Sequence, residues 1–272
     1  MPLSVIVLIS LIQGLTEFLP VSSSGHLALI PVLTPFHYQG KVLDVAAHIG
    51  TLIAVTFYLR AELFDMVTAL LGFGRNDPTN ARLGGLIALA TIPVLIAGYY
   101  VNYANWIWLD MVKTLALANF GFAILLWLSD KAAMKKQGLG SVTWLPALLI
   151  GAAQICALIP GASRSGVTIS AARFLGYDRI TAARLSLLLS LPTIAGAGLL
   201  KSLDLAKSGD STLGSDAVII IILSAGVAWL AISWMMRWLS KASFRIFVYY
   251  RMALGSFLLL GLTQGWLDTF IS

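Results

Sequence analysis

Long apolar runs separated by short polar interruptions divide the chain into ten segments, near 3–19, 21–33, 44–59, 83–101, 109–128, 146–159, 165–175, 185–200, 217–236 and 246–263. A helix needs roughly 20 apolar residues to cross a hydrocarbon layer ~30 Å thick. The first two segments of each five are short and are joined by turns rich in Pro, Ser and Gly, whereas the other three reach crossing length. The pattern predicts an all-α polytopic membrane protein. Pro93 and Pro192 fall inside spans, as helix kinks do, and Gly196 and Gly198 are expected to let helices approach closely. Trp106, Trp108, Trp144 and Trp266 lie near segment ends, where an aromatic belt is expected.

The segments also repeat, at a spacing near 140. Gln13 is followed nine residues later by Ser22-Ser23-Ser24-Gly25, and Gln154 is followed nine later by Ser163-Arg164-Ser165-Gly166. Lys113 in the last span of the first half corresponds to Arg251 in the second. The reading is one integral membrane domain over 1–272, with repeat halves of about 1–138 and 139–272, each holding a re-entrant helical hairpin plus three transmembrane helices. Three crossings per half is an odd number, so the halves are inverted and the termini share a face. Repeats of this kind place the site at their interface.

Composition sharpens the class. Of 272 residues, 58% are hydrophobic and 11% charged, where a soluble domain is nearer about one quarter charged. No polar stretch is long enough for a separate soluble domain. The single cysteine, Cys156, excludes an internal disulfide, and no Cys/His cluster has zinc spacing. The first segment is not expected to be a signal peptide, because no Lys or Arg precedes Lys41 and Glu17 interrupts the apolar run. A net charge of +6 points to basic cytoplasmic loops rather than to nucleic acid. Arg60, Arg75, Arg82, Lys131, Lys135, Lys136, Arg179, Arg184, Arg237, Lys241 and Arg245 fall on one face, against Lys41, Lys113, Lys201 and Lys207 near the terminal face. The positive-inside rule therefore puts both termini outside the cytoplasm.

Chemistry concentrates in the two short turns. Gln13 and Glu17, four apart, share a helix face, Pro20 stops the helix, and Ser22–Ser24 with Gly25 can cap a new one beside His26. The second turn reads Pro160-Gly161-Ala162-Ser163-Arg164-Ser165-Gly166-Val167-Thr168. Gly161 and Gly166 are expected to let backbone approach a ligand closely. Arg164 is an intramembrane cation between hydroxyls, a bidentate clamp for phosphate or, more simply, a partner for Glu17. Ionisable groups at such depth are rare and functional by default. Glu17 can ligate a hard divalent ion, Gln13 can add a neutral oxygen, and His26 can serve as acid or base. Asp44 and His48 form another i, i+4 pair, readable as helix capping and packing or as a metal or substrate access point. His37 sits among loop signals (Pro35, Gly40). The set fits phosphoryl transfer, where catalysis is mostly positioning and charge neutralisation. A carrier for polyprenyl phosphate or another anion needs the clamp without the acid, base and nucleophile; a structural subunit leaves Glu17 and Arg164 without a purpose.

These motifs resemble the bacterial undecaprenyl-diphosphate phosphatase family, also called bacitracin-resistance protein, whose pattern is (E/Q)xxxE, then Pro-Val-Ser-Ser-(Ser/Thr)-Gly-His, then PGxSRSxxT in the second half. Here these are Gln13 to Glu17, Pro20 to His26 and Pro160 to Thr168. The resemblance covers essentially the whole chain. It implies an inverted-repeat fold in a bacterial plasma (inner) membrane, with a site open to the periplasmic or extracellular side. It implies removal of the terminal phosphate of undecaprenyl diphosphate, which recycles the carrier lipid for wall synthesis, and a divalent cation, Mg²⁺ or Ca²⁺. Family roles carry over to Glu17, Ser23, His26 and Arg164 as catalytic residues, and to Gln13, Ser22, Ser24, Ser163, Ser165, Gly166 and Thr168 as substrate-binding ones. Glu17 and Gln13 would hold the metal, although Gln13 stands where many members have Glu, so the site has one negative charge fewer. Partners so implied are a polyprenyl diphosphate lipid and the bilayer, with no nucleic acid; a homodimer is one assembly this allows. The nucleophile stays open among serine, histidine and water.

Overall fold

The structure, a computed structural model, describes residues 2–34, 40–72, 78–104, 106, 111–132, 138–208, 214–265 and 267. Pro35, His37, Arg75, Trp108, Lys135, Lys136 and Trp266 lie outside the described residues, as do the side chains of Lys41 and Lys207. The elements are helices α1 (Leu3–Thr16), α2 (Ser23–Leu33), α3 (Lys41–Tyr58), α4 (Arg60–Leu70), α5 (Pro78–Ala104), α6 (Val112–Asp130), α7 (Trp144–Ala153), α8 (Arg164–Phe174), α9 (Arg179–Ser208), α10 (Ser215–Leu239) and α11 (Arg245–Thr263). There is no β-strand among the described residues.

Among the described residues, five stretches are long and apolar enough to cross a membrane: Pro78–Val101, Val112–Asp130, Arg179–Leu203, Ser215–Leu239 and Arg245–Thr263. A sixth exists only if α3 and α4, bent by 77° at Leu59, are counted together. The chain is a polytopic membrane protein. The segment near 44–59 therefore differs from expectation: it continues past a sharp break into α4, which the hydrophobic pattern did not mark. Glu62 and Asp65 interrupt that pattern, and α4 packs along α5 instead of prolonging α3.

Local sequence explains where the short helices stop. Pro20 has no N–H, and its ring disfavours a helix through the preceding residues, so α1 ends at Thr16 and a turn covers 17–21. Likewise α7 tightens into a 3₁₀ turn, Gln154–Leu158, ahead of Pro160. At 1.5 Å per residue the 14 residues of α1 span about 21 Å, and the 11 of α2 or α8 about 16 Å. Neither reaches across ~30 Å of hydrocarbon.

Packing pairs elements from the two halves of the chain. Helix α1 packs on α10, α7 on α5, α3 on both α9 and α10, and α6 on α11. Gly151 shows how close these approaches are: a Cβ there would come within 2.0 Å of the Ala90 carbonyl oxygen on α5. Gly196 likewise abuts Leu95, but Gly198 has open space, contrary to the close packing expected of it. Trp106 and Trp144 are exposed, as belt residues are.

One end of the bundle is tied by ions. Asp130 at the end of α6 receives the Arg179 guanidinium at 2.6 and 3.2 Å and the Phe244 N–H at 3.2 Å. Arg184 donates to Glu62, and Arg82 donates to the Gly140 carbonyl at 2.7 Å. These are loops that the charge reading put together on one face.

Candidate active site

The two Pro/Ser/Gly turns meet in the interior. Ser22 (φ 75°) and Ser163 (φ 70°) are the non-glycine residues with positive φ among those described. Each precedes a helix and caps it in the same way: Gly25 N–H donates to Ser22 Oγ at 3.3 Å, and Gly166 N–H donates to Ser163 Oγ at 3.1 Å. Holding serine in that region costs on the order of 1–3 kcal/mol and is typical of functional turns. The first turns of α2 and α8, with their positive dipole ends, thus begin at one cavity, which Ser22, Ser23, Ser163 and Arg164 line.

Glu17 is the hub. Its side chain is almost entirely buried. Oε2 accepts from Ser23 Oγ at 2.6 Å and from Gln13 Nε2 at 2.9 Å. Oε1 accepts from Arg164 Nη2 at 3.2 Å, which joins the two halves of the chain by an ion pair. Arg164 also donates to the Ser186 carbonyl at 3.2 Å. A cavity of about 190 Å³ opens beside this pair, lined by Glu17, Ser22, Ser23, Ser24, Ser163 and Arg164, with His48, Gln154 and Thr193 on its far walls.

The remaining motif residues lie behind that surface. Gln13 is fully buried beneath Glu17. Ser165 Oγ donates to the Leu19 carbonyl at 2.9 Å and stitches the second turn to the first. Thr168 Oγ1 donates to Ser186 Oγ at 2.8 Å and holds α8 to α9. The close approaches expected of the glycines are to protein rather than to open space. Gly161 (φ +91°) lies where a Cβ would meet the Leu115 carbonyl oxygen at 2.3 Å, and Gly166 lies where one would meet Arg251 Nη1 at 2.7 Å.

Arg251 and Lys113 do not form an equivalent pair. Lys113 is exposed at the start of α6, whereas Arg251 is wholly buried. Arg251 donates to the carbonyls of Gly161 and Ala162 at 2.7 and 2.9 Å, to Pro20 O at 3.5 Å and to Asn119 Oδ1 at 2.8 Å. One cation therefore fixes the backbone of both turns. Its partners are carbonyls, which a sequence pattern does not display.

His26 and His48 exchange the positions expected of them. His26 is absent from the cavity wall. Its Nδ1–H donates to the Ser22 carbonyl at 2.6 Å, which leaves Nε2 to accept from Tyr250 Oη at 2.6 Å, with the two rings stacked at 5.7 Å. His48 lines the cavity, and its Nε2 lies 3.9 Å from Glu17 Oε2. The i, i+4 spacing from Asp44 was the available signal, and it favoured capping and packing. Thr193, Asn119 and Tyr250 carried no signal, since none belongs to the turn motifs.

The structure is that of a polytopic membrane protein with a buried acid–hydroxyl–guanidinium cluster where two helices start. The family model for bacitracin resistance protein BacA matches residues 6–257, and the chain belongs to that family. It is 43% identical over 254 residues to the undecaprenyl-diphosphatase of Thioalkalivibrio sulfidiphilus, covering 92% of this chain and 96% of the relative. It is 43% identical over 263 residues to undecaprenyl-diphosphatase 1 of Rhodospirillum rubrum, covering 93% of each. With the undecaprenyl-diphosphatase of Dinoroseobacter shibae it shares 42% over 261 residues, 94% of this chain and 97% of the relative.

Proposed function

We propose that this chain hydrolyses undecaprenyl diphosphate to undecaprenyl phosphate and inorganic phosphate. The observation that carries the reading is the convergence of Ser23, Glu17 and Arg164 on one cavity. The names of its relatives support the same activity. An apolar groove of about 290 Å³ between α3 and α9, lined by Val45, Ile49, Leu52, Ile194 and Leu199, adjoins the cavity and shares His48 and Ile194 with it. The isoprenoid tail lies there and the diphosphate lies in the polar cavity.

Arg164 releases Glu17 and takes the terminal phosphate in its fork, while the first N–H groups of α2 and α8 complete the cradle. Ser23 Oγ attacks the terminal phosphorus and its proton passes to the Glu17 carboxylate, to which it is hydrogen-bonded at 2.6 Å in the resting site. The Oγ–P bond forms, the bridging P–O bond breaks, and undecaprenyl phosphate leaves with the electron pair and the proton that Glu17 took from Ser23, which frees the carboxylate again. Water then attacks the seryl phosphate, Glu17 takes up the water's proton, and Ser23 Oγ leaves and is reprotonated. Both ring nitrogens of His26 are engaged, so its role is to hold the Ser22 turn.

No group of three or more His, Cys, Asp and Glu that could hold a metal occurs among the described residues. The donor set fits the other mode of hard-ion binding, in which one or two carboxylates share the ion with substrate phosphates. Glu17 would hold it, and Gln13 Oε1, buried and without a hydrogen-bond partner, is the neutral oxygen to join it. When bound, Mg²⁺ or Ca²⁺ neutralises phosphate charge.

The architecture we infer is an inverted repeat with two re-entrant hairpins, α1–α2 and α7–α8. Its support is the matched caps at Ser22 and Ser163, the shortness of all four helices, and the reciprocal packing of α1 on α10 and α7 on α5. The repeat halves, about 1–138 and 139–272, form one domain. We place it in the bacterial plasma membrane with the site facing outward, on the charge of the loops. The test is phosphate release from a long-chain prenyl diphosphate in detergent, with and without Mg²⁺, for wild type and Arg164→Ala. Metal-dependent release that vanishes in the variant is expected. No release from folded wild type that still binds the lipid would favour a carrier.

A further inference from the structure

His48 belongs to no motif of the turns, yet it faces the hub. Its Nδ1–H donates to the Asp44 carbonyl at 2.7 Å. That bond fixes the tautomer in which Nε2 carries the lone pair, the arrangement by which a backbone carbonyl orients a metal-binding imidazole. Nε2 stands on the cavity wall 3.9 Å from Glu17 Oε2, too far for a hydrogen bond. Two ligands of one ion, each about 2.0–2.2 Å from it, sit roughly 3–4 Å apart.

A second observation converges on the same carboxylate oxygen. Gln13 is wholly buried, its Nε2 is 2.9 Å from Glu17 Oε2, and its Oε1 has no hydrogen-bond partner. Turning the amide by half a rotation keeps its shape and brings the orphaned oxygen to the Glu17 side, which is favourable once a cation sits there. We propose that His48 Nε2 and Glu17 Oε2 are the anchoring ligands of a divalent cation, with Gln13 Oε1 as the third protein donor.

The consequence concerns which metal the site takes. It rests on the reading that a cation accompanies the diphosphate. With an amide at position 13, the protein offers one carboxylate, one amide oxygen and one imidazole. Imidazole suits first-row transition ions, whereas Mg²⁺ and Ca²⁺ prefer oxygen alone. The site therefore favours a first-row transition ion over Mg²⁺ and Ca²⁺, and Mn²⁺, the weakest binder of that series, serves as its paramagnetic probe. His26 cannot supply the nitrogen, because both of its ring nitrogens are engaged.

The experiment is pulsed electron paramagnetic resonance of Mn²⁺ with methylenediphosphonate on the full chain in detergent, beside Mn²⁺ and Mg²⁺ titrations. Wild type should show ¹⁴N modulation from one imidazole. His48→Gln and His48→Asn should abolish it and weaken Mn²⁺ by about tenfold or more, since even outer-shell changes cost ~10–100-fold. Mg²⁺ affinity should change far less, and His26→Gln should keep the modulation. Absence of nitrogen coupling in wild type, its survival in either folded His48 variant, or its loss in His26→Gln alone would overturn the proposal. Phosphate release by wild type in Mg²⁺ is measured separately. Release without nitrogen coupling sinks the metal assignment and leaves the phosphatase reading standing; coupling without release does the reverse.

Discussion

Replacing Glu17 by Gln separates the two jobs the carboxylate holds. In the resting site Glu17 Oε1 lies 3.2 Å from Arg164 Nη2. At that separation and an effective dielectric of ~20, the attraction is about 5 kcal/mol. A phosphate that takes the guanidinium must displace this partner and also approaches a second negative charge. Glu17→Gln removes both obstacles at constant shape. In EDTA, binding of a non-hydrolysable prenyl diphosphonate should tighten by at least tenfold, about 1.4 kcal/mol, a fraction of the attraction removed. Turnover moves the other way. The acceptor for the Ser23 proton is gone, so phosphate release in Mg²⁺ should fall by about 10²–10⁴. The variant leaves the buried Arg164 without its counter-ion, so the resting protein should lose about 3–5 kcal/mol of stability, partly recovered by inorganic phosphate. Binding by calorimetry in EDTA and release by a phosphate assay give both numbers. Weaker anion binding in the variant, or undiminished release, would refute the picture of Arg164 as a clamp held in reserve by its catalytic neighbour.

Three further outcomes follow from the geometry. At Ser163, φ 70° favours glycine, so Ser163→Gly should melt at or above wild type and Ser163→Ala should lose about 1 kcal/mol or more through the missing cap and retained strain; both should lower turnover. Arg251→Met leaves the buried carbonyls of Gly161 and Ala162 without donors, and denaturant titration should show a loss of about 1–3 kcal/mol for each, with activity lost although no cavity residue has changed. Gly198 lies open on the groove beside the cavity, so Gly198→Phe should raise KM for a long-chain prenyl diphosphate far more than for a short one; equal effects on both would place the tail elsewhere.

Much of the molecule was readable in one dimension. Hydrophobic runs of crossing length specify a multi-pass helical protein, because a bilayer tolerates little else. Pro20 and Pro160 dictate where two helices must stop, since a missing N–H acts locally. Glu17 and Arg164 declare a site by their depth in apolar sequence, for which charge has few other uses. What the sequence left undecided is which groups face each other across chain separations of more than a hundred residues. The motif pattern favoured His26, but Tyr250, over two hundred residues away, occupies its second nitrogen. His48 read more readily as a capping and packing residue, but the packing of α3 places it beside Glu17. Arg251 matched Lys113 by repeat position, yet only Arg251 is buried, and it donates to the backbone carbonyls of the two turns. Local rules fix helix ends and caps because their causes lie within a turn or two. A side chain's partner, and with it the orientation of an imidazole or the use of a buried cation, depends on helix packing, and only the folded bundle decides that.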